Sequence, residues 1–93
     1  MYLVLLRLAD GSRVSEHLDG HKRWLQRGFD DTVFLLTGGI PQQGGGAIIA
    51  VGLSPDELSA RLEEDPFVVH GVVTPEVVEL ETTMSDPRLA FLV

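Results

Sequence analysis

The stretch TVFLLTGGIPQQGGGAIIAVGLSPDELSARLEEDP, residues 32–66, decides the fold. It opens with a β-branched and aromatic run, Thr32 to Thr37, bounded by Asp30-Asp31 before it and Gly38-Gly39 after it. Runs of this composition between turn residues predict a strand. The segment Gly38-Gly39-Ile40-Pro41-Gln42-Gln43-Gly44-Gly45-Gly46 reads as a flexible connection, and Ala47 to Val51 as the next strand. Ser54-Pro55-Asp56-Glu57 then starts a helix. Ser54 is the N-cap, Pro55 sits at the first helical position, and Glu57 completes a capping box. Leu53 and Leu58 have the spacing of a hydrophobic staple across that cap. Leu58, Leu62 and Asp65 share a stripe, and Pro66 stops the helix because its ring disfavours helical geometry at Asp65.

Working outward, Tyr2 to Leu8 is apolar except for Arg7 and reads as a first strand. Asp10-Gly11-Ser12 makes a turn, and Ser12 or Ser15 is expected to cap the helix that follows. From Val14 the period becomes helical: Val14, Leu18 and Leu25 form a stripe with His21 and Trp24. Asp19, Lys22, Arg23 and Gln26 fall on the other side. Arg27-Gly28 is the expected helix end, a basic turn followed by a glycine suited to the left-handed cap. On the far side, Phe67 to Val73 is transitional. Pro75 begins a fourth strand, in which Val78 and Leu80 oppose Val77, Glu79 and Glu81.

The order is β-α-β-β-α-β, which predicts an α+β, ferredoxin-like fold in a single domain over residues 1–93. Two helices cover one face of such a sheet. Yet the strands are apolar on both faces: Tyr2, Val4 and Leu6 oppose Leu3 and Leu5, and Ile48 opposes Ile49. An uncovered face of that kind is a large apolar patch. Packing against a second sheet removes it, so a homodimer joined sheet to sheet is expected. Arg7, inside an apolar strand, is expected in an ion pair within that dimer. The apolar tail, residues 82–93, is expected to dock on the partner.

Charge and composition exclude several classes. The 93 residues carry 14 Asp and Glu against 7 Lys and Arg, a formal charge of −7, and 44% are hydrophobic. Binding to nucleic acid or to an anionic membrane needs clustered cations, so neither is an expected partner. No apolar run reaches the ~20 residues of a spanning helix, and Tyr2–Leu6 is too short for a signal core. The lack of cysteine excludes disulfides and thiolate zinc and fits a reducing, cytoplasmic setting.

His21 carries the most chemical information. It lies within the apolar stripe, where an imidazole needs hydrogen-bond partners. It is either a satisfied structural histidine or a reactive one. Asp65, at the inner edge of its helix, is either a solvated terminator or the partner of His21, since the two helices lie side by side on the sheet. Paired, the carboxylate selects the imidazole tautomer and favours its protonated form, which suits a general base. His17 and His21 have i, i+4 spacing but no third metal ligand in reach, so no metal or other cofactor is expected. His70 carries no further signal. The glycine-rich segment lacks the Gly-Lys-Ser/Thr end of a phosphate loop and joins two strands, so it is expected to rim a pocket instead. Thr37 offers a hydroxyl at a strand end. Trp24 and Phe67 belong in a pocket wall or, the commoner place for aromatics, in the core.

Met1-Tyr2-Leu3-Val4-Leu5-Leu6, His21-Lys22-Arg23-Trp24-Leu25, Thr37-Gly38, Gly45-Gly46-Ala47-Ile48-Ile49-Ala50 and Glu64-Asp65-Pro66-Phe67-Val68-Val69-His70-Gly71 together resemble the YciI-like (YCII-related) family. The resemblance covers residues 1–81. It implies a dimeric α/β barrel of two ferredoxin-like sheets. It also implies a site built from a helix histidine and the aspartate of an Asp-Pro-Phe/Tyr motif, which match His21 and Asp65. The strand-end hydroxyl matches Thr37, where the family more often has serine. One relative removes hydrogen chloride from a chlorinated hydroxyhydroquinone, related barrels include muconolactone isomerases, and other related domains accompany regulatory proteins. The expected function is therefore a cofactor-independent lyase or isomerase for a small cyclic or aromatic molecule. His21 and Asp65 would supply its acid/base chemistry, with Thr37, Trp24 and Phe67 at the substrate. The alternative is a non-catalytic small-ligand or protein-interaction module on the same barrel.

Overall fold

The computed structural model describes residues 1–93. Its regular elements are β1 (Tyr2–Leu8), α1 (Val14–Asp30), β2 (Phe34–Gly39), β3 (Gly46–Ala50), α2 (Pro55–Leu62), α3 (Pro66–Val69) and β4 (Val73–Glu79). Short 3-10 turns occupy Gly11–Arg13 and Pro87–Leu92. The four strands form one antiparallel sheet in the order β2-β3-β1-β4. With the helices this is the ferredoxin-like α+β arrangement that the alternation of strand and helix patterns predicts. No helix is long and apolar enough to cross a membrane.

The strand period of two gives the sheet its two faces. Tyr2, Val4 and Leu6 of β1 are buried, beside Ile48 and Ala50 of β3 and Phe34 of β2. Over them lie Trp24 of α1, Leu58 and Leu62 of α2, and Phe67 of α3, which complete a single core cluster. The Trp24 indole donates to the Arg61 carbonyl at 2.9 Å, tying α1 to the end of α2. Tyr2 reaches the other end of the same helix, donating from its hydroxyl to the Leu53 carbonyl at 3.0 Å. Burial of that phenol, with Glu79 and Glu57 nearby, raises its pKa above the ordinary value.

On the opposite face, the register aligns Leu36, Ile49, Leu3 and Val78 in a row across all four strands. Leu36 is 58% exposed and Val78 43%, so this row has no cover within the chain. Arg7 lies at the edge of this face. Its Nε donates to Glu76 Oε2 at 2.6 Å. The expected ion pair thus exists, but within one chain, because β4 brings Glu76 beside β1.

Local chemistry agrees with the sequence at α2 and departs from it at α1. Ser54 and Glu57 form the full capping box, with both hydrogen bonds present. Hydrogen bonding from Ser54, its backbone N–H first, holds the Glu57 carboxyl below its usual pKa. At the start of α1 neither serine caps. Asp10 instead accepts from Ser12 N at 3.1 Å and organises a 3-10 turn that leads into the helix. At its end α1 runs on to Asp30, past Gly28. Gly28 is buried against Phe34, and a Cβ there would fall within the phenyl ring. The glycine is thus required by close packing of helix on strand, and not by a left-handed cap. The last turn closes beyond it, where Thr32 adopts a φ of 61°.

The nine-residue connection is also tighter than its composition suggests. β2 includes Gly38 and Gly39, and β3 starts at Gly46. Ile40 N donates to Gly45 O at 3.1 Å, and Gly44 N to Ile40 O at 3.0 Å. Gly45 has a φ of +75°, and a Cβ there would press on the Leu6 carbonyl oxygen. The fourth strand starts at Val73, two residues before the expected Pro75. Gly28→Ala is expected to destabilise the fold by about 1–3 kcal/mol through overpacking. Equilibrium urea unfolding reads this directly; an unchanged midpoint would show that the Phe34 ring moves aside freely.

Candidate functional site

A cavity of about 400 Å³ lies between α1 and one end of the sheet. Leu18, Leu25 and Val14 of α1 form one wall, and Leu6, Leu8 and Val73 the floor. Gly38, Gly39, Gly45 and Gly46 border it, so the glycine-rich hairpin is a rim, as expected. The side chains with polar groups on the lining are those of His21, Lys22 and Thr37.

His21 comes from the middle of α1 and Asp65 from the junction of α2 and α3. The Asp65 side chain is completely buried, and its Oδ1 lies 2.8 Å from His21 Nδ1. The same Oδ1 accepts the backbone N–H of Phe67 at 2.9 Å. Asp65 is thus the N-cap of α3, with Pro66 at the first helical position. It is not a solvated terminator. The Asp-Pro-Phe sequence carries the signal for this second helix start, an acidic cap followed by proline. Oδ2 is buried with no partner. A buried carboxylate left half-satisfied is costly, and the two bonds to Oδ1 are what offset its burial.

Phe67, placed by the same cap, stacks on the His21 ring with centroids 4.1 Å apart and planes 10° from parallel. The imidazole is therefore held at its Nδ1 edge by Asp65 and on one face by Phe67. Its Nε2 makes no hydrogen bond to the protein, on a ring that lines the cavity. In the neutral ring, with Nδ1–H donating to the carboxylate, Nε2 carries the lone pair. The arrangement can accept a proton from a ligand and return it.

The other expected site residues separate. Phe67 lines the cavity, and Trp24 does not: its side chain is fully buried in the core, with its indole N–H committed to Arg61. Thr37 lines the cavity, with its hydroxyl donating to the Ala47 carbonyl at 3.0 Å. Its oxygen can accept from a ligand, but its hydrogen is already in use. His17 and His21 do not converge. His17 stacks on His70 with centroids 4.0 Å apart, while His21 turns to Asp65. Lys22, assigned by periodicity to the solvated side, stands at the cavity edge. The helical stripe marks buried positions and so misses a long side chain that borders a cleft.

Fold and site together define a ferredoxin-like α+β chain with a histidine–carboxylate pair at an apolar cavity. No protein-family model matches the sequence, and no curated protein does. Among solved structures the chain is similar to the 5-chloro-2-hydroxyhydroquinone dehydrochlorinase of Burkholderia phenoliruptrix, in complex with 2,5-dihydroxybenzoquinone. The TM-score is 0.67 at 18% identity, over 89% of this chain and 96% of that one. At that identity the likeness establishes the shared fold.

Asp65→Ala removes a helix cap and leaves a backbone N–H and an imidazole edge unpaired, so a loss of about 2 kcal/mol is expected. Asp65→Asn keeps an oxygen at the cap and should cost less. Urea unfolding of both variants checks the order, and equal losses would show that the cap oxygen contributes nothing.

Proposed function

We propose that this protein is a cofactor-independent lyase or isomerase of the YciI-like kind, acting on a small cyclic or aromatic organic molecule. The observation that carries the reading is the 2.8 Å contact between His21 Nδ1 and the buried Asp65 carboxylate, on a ring whose other nitrogen is free beside the cavity. The fold shared with a dehydrochlorinase supports the reaction class.

His21 acts through Nε2 as general base and then as acid, while Asp65 holds its tautomer and Phe67 its plane. In an elimination from a chlorinated hydroquinone, the chlorine-bearing carbon first takes a proton to give the keto tautomer. Nε2 then takes a hydroxyl proton, the O–H electron pair forms a carbonyl and shifts the ring double bond, and chloride leaves a quinone. In an isomerisation, the same nitrogen returns the proton to a different atom. Thr37 accepts a hydrogen bond from a ligand hydroxyl. The apolar walls exclude water and strengthen these polar contacts.

Chloride release from 5-chloro-2-hydroxyhydroquinone, together with proton exchange in a panel of small enolisable rings, tests the chemistry. His21→Gln is expected to lower kcat/KM by at least about 100-fold with the fold intact by circular dichroism. Turnover that survives this change would remove His21 as the base. If no ring in the panel reacts, the non-catalytic binding module replaces this reading.

The same reading includes a homodimer through the open sheet face. The row Leu36, Ile49, Leu3 and Val78 supports it, because an exposed apolar band of this kind is unfavourable in water. Sedimentation equilibrium is expected to give twice the chain mass at micromolar concentration, and Leu3→Glu to shift it to the single chain. A wild-type monomer under those conditions would overturn the assembly.

A further inference from the structure

We infer that the cavity selects a small ring bearing a negatively charged oxygen, and that Lys22 is the residue that selects it. The inference rests on the His21 cavity being a ligand site, as proposed above. The chain has 14 acidic residues, and none of them lines this cavity. The groove beside α2 is different, with Glu63 and Glu79 on its walls. In a chain of net charge −7, a cleft free of carboxylates and bordered by an ammonium is a local reversal of sign.

Lys22 is also uncommitted. Arg7, Arg13, Arg61 and Arg88 are each paired with a carboxylate, to Glu76, Glu16, Asp31 and Asp86. Lys22, Arg23 and Arg27 enter no such pair, and of these three only Lys22 borders the cavity. Its aliphatic stem can lie along the apolar wall while the ammonium stays at the mouth.

The donor inventory points the same way. Thr37 has its hydroxyl hydrogen on the Ala47 carbonyl, and His21 has Nδ1 on Asp65. When His21 Nε2 is unprotonated it is an acceptor. Lys22 is then the one side chain on the lining that can still donate to a ligand oxygen. An ammonium there favours an oxyanion in the ground state and an enolate oxygen as charge develops during proton abstraction. It is a specificity residue, since the proton transfer itself falls to His21.

Isothermal titration with 4-hydroxybenzoate and 4-hydroxybenzamide separates charge from shape. At low ionic strength the wild type is expected to bind the carboxylate about fivefold more tightly than the amide, the size of a partly exposed charge pair. Lys22→Gln should bring the two within twofold, chiefly by weakening the carboxylate, and Lys22→Arg should keep the preference. His21→Gln should keep the preference, because the base is not the selector. Equal affinities in the wild type, no binding of either probe at millimolar concentration, or a preference that persists in Lys22→Gln would each overturn the inference. The two readings fail separately. Loss of selectivity in Lys22→Gln with turnover intact in His21→Gln would leave an anion-selective cavity without the proposed base. Lost turnover in His21→Gln with no carboxylate preference would leave the base without the selector.

Discussion

The Asp65 carboxylate is the constraint on which the rest of the structure depends. One of its oxygens serves two donors from different parts of the chain, the Phe67 amide at 2.9 Å and His21 at 2.8 Å. The first bond starts α3 and so places Phe67. The second draws the middle of α1 against that start. Phe67 then stacks on the imidazole that its own cap has positioned. Remove the carboxylate and α1 and α3 lose their common reference. The local structure of α3, the packing of α1 and the orientation of His21 are one problem with one solution.

Much of this was legible in the residue pattern, for definable reasons. Capping chemistry is local, so Ser54-Pro55-Asp56-Glu57 announces α2 without help from the fold. Helical periodicity is nearly as local, and it set His21 on the inner stripe beside Leu18 and Leu25. Fold topology followed from element order. What could not be read depends on contacts between distant segments. Gly28 looks like a helix terminator until Phe34 is placed against it. Asp65 is the exception, a local cap signal that is hidden when Pro66 is read only as the stop of α2. Trp24 differs from Phe67 in its surroundings only once α2 supplies the Arg61 carbonyl.

The two faces of the sheet carry different duties on the same strands. Tyr2, Val4 and Leu6 of β1 fill the core beneath the helices, and Leu3 and Leu5 face the other side, with Arg7 held at the edge by Glu76. That alternation leaves no residue of β1 indifferent to its register. A slip by one position would bury Arg7 and expose Val4 together, which is why so short a strand can be placed without ambiguity.

At the end of β2, Thr37, Gly38 and Gly39, with Ala47 opposite, border both the His21 cavity and a shallow apolar cleft on the uncovered face. One layer of backbone is all that separates the two. Whatever rests on the uncovered face therefore props the cavity wall from behind. Ligand affinity and any coverage of that face are thus thermodynamically linked.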